Sequence, residues 1–390
     1  MSLSVYIHWP FCISKCPYCS FNSAAYEIDD ELFKEYGDCL LKELKLESED
    51  FSDVSIDSIF FGGGTPSLMN SESVANIIDF LSGKCKFCDD IEISLESNPG
   101  TFDKDKLRRL KRAGVNRLSL GVQSFSDKNL KFLGRIYDGK RAYESAFSVA
   151  EIFENFSFDF MYGYEKQEQG SLASDLEKAV NMCCPHISCY QLTLEEGTPF
   201  FEKYLNGKIK KISENEEVNS YGFIGAILAD HGIDQYEVSN YARKGYECRH
   251  NLCYWKYENF LGIGPGAHGR LSVDGKKIAR ENKRDIFDWF DCVKKGERAP
   301  HRKQILTDFE AAEEIFIMGL RLREGIDLGN VEKKISPDVL NEIVSERKLK
   351  FLRQNGLIDE MNSARRLLKL TPEGFLKIDA IVEFFFDSRN

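Results

Sequence analysis

The chain has 390 residues, of which 42% are hydrophobic and 29% charged, and its formal net charge is −11. This is the composition of an ordinary globular protein with a large core, and it excludes a small domain that depends on disulfides. The acidic balance argues against a broad nucleic-acid-binding surface, because phosphate backbones are bound by clustered Lys and Arg. We therefore expect no nucleic acid among the partners.

The N-terminal sequence bears on the cellular compartment. MSLSVYIHWPF has no basic segment followed by an apolar one, so no secretory signal peptide is predicted. No apolar run is long enough to predict a transmembrane segment. Twelve cysteines without a secretory signal predict a cytoplasmic protein, where thiols stay reduced and available for metal.

Three cysteines follow the first predicted strand in the spacing Cys12-x3-Cys16-x2-Cys19. Structural zinc or a redox-active pair suits the second half of this pattern, but neither explains the x3 gap and the aromatic Tyr18. Each iron of a [4Fe-4S] cluster needs an outside ligand, which is usually a cysteine thiolate. Three thiolates leave one iron open to chelate a small molecule, so the loop predicts an iron–sulfur cluster with an open site.

From this loop to about residue 194, short β-rich runs alternate with amphipathic helical stretches. This alternation is typical of successive βα units around a parallel sheet, and six units predict an incomplete barrel. The strands are predicted over residues 5–8, 58–61, 91–96, 117–120, 156–162 and 187–194.

The alternation within these strands predicts a polar barrel interior. Successive side chains of a strand point to opposite faces. Glu92, Ser94 and Glu96 therefore share one face of their strand, and Ser157 and Asp159 share one face of theirs. Closed barrels are normally filled with branched apolar residues, so polar side chains inside predict a cavity for a polar ligand.

Beyond about residue 207 the pattern changes. A long helix is predicted over residues 213–231, followed by an aromatic, irregular stretch over residues 236–269. Further helices are predicted near residues 314–322 and 340–354, short β-like pieces near Leu357 and Leu367, and a last helix after Pro372.

Helices followed by a small hairpin are typical of a winged-helix-like module. We predict three regions: residues 1–206 as a barrel, 207–300 as an extension and 301–390 as a C-terminal domain, with a boundary near Pro300.

Several motifs place polar residues where a barrel builds its active site, at the ends of strands. FFGGGTPS follows a predicted strand, and its glycines allow backbone to approach a ligand. Glu96 lies in LESNPGT, Gln123 in SLGVQSF and Asp159 in DFMYG. Carboxylates can hold ribose hydroxyls, and Arg135 of LGRIYDG can pair with a carboxylate in a bidentate fork.

Together these motifs resemble the radical S-adenosylmethionine (SAM) superfamily, in the branch of oxygen-independent coproporphyrinogen dehydrogenase (HemN) and of HemW-type heme chaperones. The resemblance rests on YIHWPFC, CPYCSFN, GGGTPS, LESNPGT, GVQSF and LGRIYDGKRA, and extends through essentially the whole chain. It implies an α/β fold: a three-quarter TIM-type barrel of six βα units with a helical, winged-helix-like C-terminal domain. In that superfamily SAM binds the open iron and is cleaved to a radical by an electron from the cluster; for this chain both cleavage and purely structural binding of SAM are open.

The resemblance implies that Cys12, Cys16 and Cys19 ligate the [4Fe-4S] cluster, which needs an electron donor. The SAM contacts that it implies are Tyr6, Tyr18, Gly63, Gly64, Thr65, Glu96, Gln123, Arg135 and Asp159. One departure concerns the loop after Asp159, where relatives usually read DLIYGLPGQT and this chain reads DFMYGYEKQEQG.

Three features favour a HemW-type chaperone over the dehydrogenase. The dehydrogenase carries a further cysteine where this chain has Phe21, and it has an N-terminal arm where only eleven residues precede Cys12 here. The third feature is the HNxxYW signature, which is associated with heme binding in HemW-type proteins. It is matched by His250, Asn251, Tyr254 and Trp255.

Histidine is a common axial ligand of heme iron, and Tyr and Trp offer apolar faces to a macrocycle. The alternatives at this segment are a buried, purely structural His250 and thiolate ligation by Cys248 or Cys253.

The resulting hypothesis is a protein that binds a [4Fe-4S] cluster, SAM and heme and transfers heme to an acceptor protein, with a homodimer compatible with the family. The alternative is an oxygen-independent coproporphyrinogen III dehydrogenase. A radical SAM enzyme acting on RNA is disfavoured by the acidic balance.

Overall fold

The computed structural model describes residues 2–48, 54–299, 301–359 and 366–387. The boundary predicted at Pro300 lies outside the described residues. The elements of the first half of the chain are β1 (Ser2–Trp9), β2 (Phe11–Cys12), β3 (Ala24–Ala25), α1 (Asp30–Glu47), β4 (Ser55–Gly63), α2 (Ser71–Lys84), β5 (Lys86–Ser97), α3 (Lys104–Arg112), β6 (Arg117–Gln123), α4 (Asp127–Phe132), α5 (Gly139–Ile152), β7 (Asn155–Tyr162), α6 (Gln169–Asn181) and β8 (His186–Gln191).

The second half of the chain is richer in short elements. They are α7 (Pro199–Leu205), α8 (Glu214–Ala229), β9 (Asp234–Gln235), β10 (Asn240–Ala242), α9 (Arg249–Trp255), β11 (Phe260–Ile263), β12 (His268–Val273), β13 (Lys276–Asn282), α10 (Ile286–Lys294), β14 (His301–Ile305), α11 (Asp308–Gly319), β15 (Ile326–Asp327), α12 (Leu328–Val331), α13 (Pro337–Ile343), α14 (Glu346–Gln354), β16 (Leu367–Leu368), α15 (Pro372–Phe375) and α16 (Ile378–Phe386).

All six predicted parallel strands are present and adjacent, in the order β1-β4-β5-β6-β7-β8. The sheet has two free ends within the described residues, so the barrel is incomplete, as predicted. The last parallel strand ends at Gln191, before the predicted residue 194, because Leu192 leaves the sheet and packs in a small separate core with Leu133 and Phe200.

The two faces of the strands divide as the alternation predicts. Ile93 and Leu95 belong to the large apolar core between sheet and helices. Glu92 and Ser94 are buried on the opposite face, inside the barrel. The interior of the barrel is therefore polar.

The expectation of an irregular stretch over residues 236–269 is wrong. This stretch contains β10, α9 and β11 and the start of β12. β11 pairs in parallel with β1 and extends the sheet on its open side, and the antiparallel strands β12, β13 and β14 continue it. Strands as short as four residues with an internal glycine give no recognisable alternation, which is why the sequence pattern missed them.

The predicted helix over residues 213–231 is α8. Ser213 begins it with a reciprocal capping box to Glu216, the arrangement that satisfies the free N–H groups of a first turn.

The C-terminal helices α11, α13, α14 and α16 enclose a second apolar core, to which the two-stranded ladder of β15 and β16 also contributes. The pattern predicted over residues 340–354 is two helices, because the chain bends at Val344 and Ser345 caps a new first turn. No helix among the described residues is long and apolar enough to cross a membrane.

One buried carboxylate ties the extension to the barrel. Glu43 of α1 accepts hydrogen bonds from Gly264 N (2.7 Å), Trp289 Nε1 (3.1 Å) and Asn282 Nδ2 (2.9 Å). These partners follow β11, lie in α10 and end β13, so a single side chain holds three segments of the extension against α1.

We expect Glu43→Gln to lower the free energy of unfolding by about 1–3 kcal/mol, because either orientation of the new amide sets its NH₂ group against an N–H donor. The midpoint of urea unfolding measures this loss. The control is Glu31→Gln in the exposed first turn of the same helix, which should change the free energy by about 0.5 kcal/mol or less. Equal midpoints for the two variants would contradict the assigned role.

Candidate functional site

The three cysteines lie in a loop that is fixed at both ends. The loop is closed by the parallel pairing of β2 with β3. Lys15 Nζ crosses it and donates to the carbonyl oxygens of Phe21 (3.1 Å) and Ser23 (2.8 Å). The three thiols line a cavity of about 370 Å³ at the carboxyl ends of the parallel strands.

Two of the thiols receive hydrogen bonds from polar side chains. Thr65 Oγ1 donates to Cys12 Sγ at 3.3 Å, and Arg135 Nη1 donates to Cys16 Sγ at 2.8 Å. Burial raises the pKa of the Cys12 thiol, and the hydrogen bond from Thr65 acts in the opposite direction. Thiolates are the form of cysteine that binds iron.

This donor set fits a [4Fe-4S] cluster. All three thiols are free and face one cavity. Within the part of the chain that the structure describes, no three His, Cys, Asp or Glu side chains converge as ligands of one metal ion. A cube binds each thiolate through a different iron, so its cysteines need not converge on one point.

The glycine-rich segment forms the wall next to Cys12. Gly64 N donates to Trp9 O (2.6 Å) and Thr65 N to Phe11 O (2.9 Å), which fixes the segment to the end of β1 and to β2. A Cβ at Gly64 would lie 2.8 Å from the backbone of Pro10 and Phe11. Glycine is therefore required at position 64 because the backbone just before Cys12 approaches it closely.

Two carboxylates line the cavity from the strand ends. Glu96 Oε2 accepts a hydrogen bond from Gly63 N (3.0 Å), and burial raises the pKa of Glu96 to about 7. Asp159 accepts hydrogen bonds from Ser119 (2.7 Å) and Ser157 (3.0 Å), and burial raises its pKa too. Each carboxylate is held in place by the barrel.

Most of the predicted SAM contacts lie together around this cavity. Gln123 ends β6 in the left-handed region, at φ 64°, which turns the chain at the cavity wall. The lining includes Tyr18, Gly63, Gly64, Thr65, Glu96, Gln123, Arg135 and Asp159. Tyr6 is not part of the lining, and its hydroxyl bonds to His8 Nδ1 at 3.1 Å.

The HNxxYW segment lies elsewhere, toward the amino-terminal ends of the parallel strands. It forms α9, whose first N–H groups, those of Arg249 and His250, donate to the carboxylate of Glu92 at 3.1 and 3.2 Å. Cys248 Sγ also contacts Glu92 (3.4 Å), and Arg117 Nε lies 3.9 Å from it. Glu92 is thus a barrel residue that caps α9.

His250 points into the barrel and is 1% exposed. Its Nδ1 bonds to Ser58 Oγ (2.8 Å), its Nε2 to Tyr254 Oη (2.7 Å), and its ring stacks on Phe60. Burial lowers the pKa of His250 to about 3, so the imidazole is neutral. Both ring nitrogens are therefore engaged within the protein.

Trp255 and Asn251 of the same helix are half-buried. Trp255 lines a second cavity of about 550 Å³, between the end of α9 and the C-terminal helices. Its wall is apolar at Ile315, Leu322 and Ile326. Both bases and acids complete the lining: Lys256, Lys333, Lys334, Glu258, Glu324 and Asp327.

The loop after Asp159, which departs from the usual sequence, is ordered by its own side chains. Tyr164 is buried and stacks on Phe132 with ring centres 5.2 Å apart. Gln167 accepts from Gly163 N (2.9 Å) and donates to Met161 O (3.1 Å). These contacts hold the loop in its course without a Leu-Pro turn.

Sequence reasoning missed several residues of the cavity. Asn98 and Tyr137 stand inside the motifs LESNPGT and LGRIYDG, from which only Glu96 and Arg135 were selected, so the signal was present. Tyr190 lies within the strand predicted over residues 187–194. Ile13 and Ile136 are exposed apolar side chains of the lining that the sequence analysis did not select.

Comparison with known proteins agrees with this geometry. Residues 6–179 match the Radical SAM superfamily and residues 306–376 the HemN C-terminal domain. The chain is 34% identical to "Heme chaperone HemW" of Haemophilus influenzae, over 98% of this chain and 97% of that protein. It is also 34% identical to "Heme chaperone HemW" of Bacillus subtilis, over 96% of both chains.

The structure of coproporphyrinogen III oxidase (HemN) from Escherichia coli has the same fold. It superposes with a TM-score of 0.81 at 22% identity, covering 100% of this chain and 90% of that one. The radical SAM barrel with a helical C-terminal region is therefore confirmed. The chain belongs to the HemW family of the radical SAM superfamily.

Proposed function

We propose that this protein is a heme chaperone that binds a [4Fe-4S] cluster, SAM and heme, and transfers the heme to an acceptor protein. The observation that carries the proposal is the cavity lined by Cys12, Cys16 and Cys19, in a chain that matches HemW proteins throughout its length. When bound, the cluster supplies an open iron and a single electron, which an external electron donor must provide.

The chain's own residues prepare this cavity. Arg135 and Thr65 donate hydrogen bonds to two of the thiols. A hydrogen bond from Lys15 to the carbonyl oxygen of Ser23 holds the loop closed. Glu96 and Asp159 also line the cavity, and their carboxylate oxygens can accept hydrogen bonds from the ribose hydroxyls of SAM. These contacts support binding of SAM between the cysteine loop and the strand ends.

For heme we propose the cavity beside Trp255. To bind iron, His250 would have to break its hydrogen bond with Ser58 or with Tyr254. Trp255 already faces a cavity of a size typical for ligands. The indole offers a flat face to the macrocycle. Lysines at the wall are suitable partners for its propionates. To bind them, Lys256 and Lys334 would exchange their ion pairs with Glu324 (2.9 Å) and Glu258 (3.1 Å). In this proposal His250 and Tyr254 support α9 from inside the barrel.

Replacing a cluster cysteine tests the first part of the proposal. We expect Cys16→Ala, reconstituted anaerobically, to lose the cluster's visible absorbance and most of its bound iron, because two thiolates cannot hold the cube. Cys292→Ala, on α10, is the matched control and should keep both. Full iron in the Cys16 variant would contradict the assignment.

The same preparations distinguish chaperone from dehydrogenase. Holo-protein incubated with an apo-heme protein should pass on its heme, and no protoporphyrinogen should form from coproporphyrinogen III with SAM and reductant. Product formation without heme transfer would favour the dehydrogenase over the chaperone.

Replacing Trp255 tests the heme site. We expect Trp255→Ala to raise the Kd for heme about tenfold, equivalent to about 1.4 kcal/mol, since the stacking face is removed. The measurement is a Soret titration. Tyr246→Ala, an exposed aromatic outside the lining of the Trp255 cavity, should leave the Kd unchanged. Unchanged binding by the Trp255 variant would rule this cavity out.

His250 makes a separate prediction about pH. Its pKa is about 3 in the folded protein and about 6.5 in the unfolded chain, so below pH 6.5 the unfolded state takes up a proton that the folded state does not. The stabilisation is present above pH 6.5 and is lost as the pH falls.

We expect wild type to lose about 1.4 kcal/mol more per pH unit than His250→Gln between pH 6 and about 4. Urea unfolding of both proteins at several pH values measures the difference. Parallel pH profiles, together with loss of the heme Soret band in the variant, would instead favour His250 as a heme ligand.

A further inference from the structure

We propose that Asn98 is a positioning residue that directs hydrogen bonds onto two of the three cysteines. The inference rests on the proposed cluster at Cys12, Cys16 and Cys19. Asn98 directly follows β5 and lines the same cavity. Its side chain joins the two groups that contact the thiols, so a single amide connects Cys12 to Cys16.

The connection is a chain of hydrogen bonds through Asn98. Its Nδ2 donates to Thr65 Oγ1 at 3.1 Å, and Thr65 Oγ1 donates to Cys12 Sγ at 3.3 Å. On the other side its Oδ1 accepts from Arg135 Nη2, and Arg135 Nη1 donates to Cys16 Sγ at 2.8 Å.

The direction of every bond in this chain is fixed by chemistry. A guanidinium can only donate, so the carbonyl oxygen of Asn98 must face Arg135. The NH₂ group then faces Thr65, whose oxygen becomes an acceptor. The hydroxyl proton of Thr65 is left to point at Cys12. With an amide at position 98, Thr65 therefore donates a hydrogen bond to Cys12 and Arg135 donates one to Cys16.

The surroundings hold the amide and its partners in this arrangement. Arg135 Nε donates to Tyr137 Oη (2.8 Å), which itself donates to Gly121 O (2.7 Å). A Cβ on Gly121 would lie 2.8 Å from Asn98 Oδ1, so the glycine leaves the space that the amide occupies. Thr65 is buried.

The third cysteine is treated differently. Cys19 Sγ lies 4.0 Å from Ser23 Oγ, a far weaker contact than those at Cys12 and Cys16. Hydrogen bonds to the sulfurs are one of the factors that set the reduction potential of an iron–sulfur cluster. They stabilise the extra negative charge of the reduced state, so we expect Asn98 to raise the midpoint potential through both thiolates.

Asn98→Asp is the most informative substitution because it keeps the shape of the side chain and reverses the direction of its hydrogen bond with Thr65. A carboxylate still accepts from Arg135, but it can only accept from Thr65. The Thr65 hydroxyl then turns away from Cys12. We expect a more negative midpoint potential in reconstituted protein, measured without SAM by an EPR-monitored redox titration.

A double-mutant cycle separates the hydroxyl from the added charge. In the Thr65→Val background there is no hydroxyl to turn, so Asn98→Asp shifts the potential by its charge alone. We expect the shift to be smaller in this background than in wild type. Equal shifts in the two backgrounds would overturn the inference.

The matched control is Asn116→Asp. Asn116 also bridges two groups, accepting from Ile93 N (2.8 Å) and donating to Ile91 O (2.7 Å), but it lies outside the cavity lining. Its variant should keep the wild-type potential. If Asn98→Asp takes up no cluster, the same cycle is measured with Asn98→Ala, for which additive shifts with Thr65→Val would overturn the inference. Wild type that takes up no cluster would refute the proposed function itself.

Discussion

The structure depends on one constraint: polar side chains inside the barrel need hydrogen-bond partners, because an unpaired buried polar group is costly. Among the described residues of the interior, Ser94 Oγ is an exception. The strands place acids, serines and histidines on their inner face, and these bond mostly to one another or to backbone. Near the amino-terminal strand ends the partners are structural, with Glu92 beside Arg117 and under α9. Near the carboxyl ends, the same requirement fixes Glu96 on Gly63 and Asp159 on two serines. The candidate site is the part of this network that opens to a cavity.

The sequence predicts those features that repeat with a period or depend on spacing. Alternation predicts the six parallel strands and the polar interior, and cysteine spacing predicts the loop. It does not predict β11, because four residues with an internal glycine have no pattern. Their place beside β1 is fixed by long-range contacts: pairing with β1 itself and the bond from Gly264, just after the strand, to Glu43. Long-range partners of this kind are invisible in a local pattern.

The site residues divide in the same way. Residue type and motif select Glu96 and Arg135. Asn98, two residues after Glu96, stands out only through its contacts with Thr65 and Arg135 in the folded chain. His250 shows the opposite case. Its motif is associated with heme, but neighbouring Ser58, Phe60 and Tyr254 enclose it, and no sequence rule predicts that all three meet at one ring. Chemistry can be inferred from residue types, whereas exposure depends on the tertiary fold.

The enclosed His250 also connects the two ends of the barrel. From its ring, contacts pass to Phe60 and on to Tyr6, whose ring stacks on Phe60 and whose hydroxyl bonds to His8. His8 Nε2 then bonds to the carbonyl oxygen of Asn22, which closely follows the last cluster cysteine.

This path runs entirely through buried or half-buried side chains, and its members cannot move independently in a packed interior. Asn22 also donates to the carbonyl oxygens of Pro265 and Arg284, so the loop after the cysteines is held from the extension as well as from the barrel. The cysteine loop and the HNxxYW helix are thus fixed on a common interior, although residues of the two segments line separate cavities. Under the proposed function, this arrangement would keep a cluster and a heme apart while holding both on one scaffold.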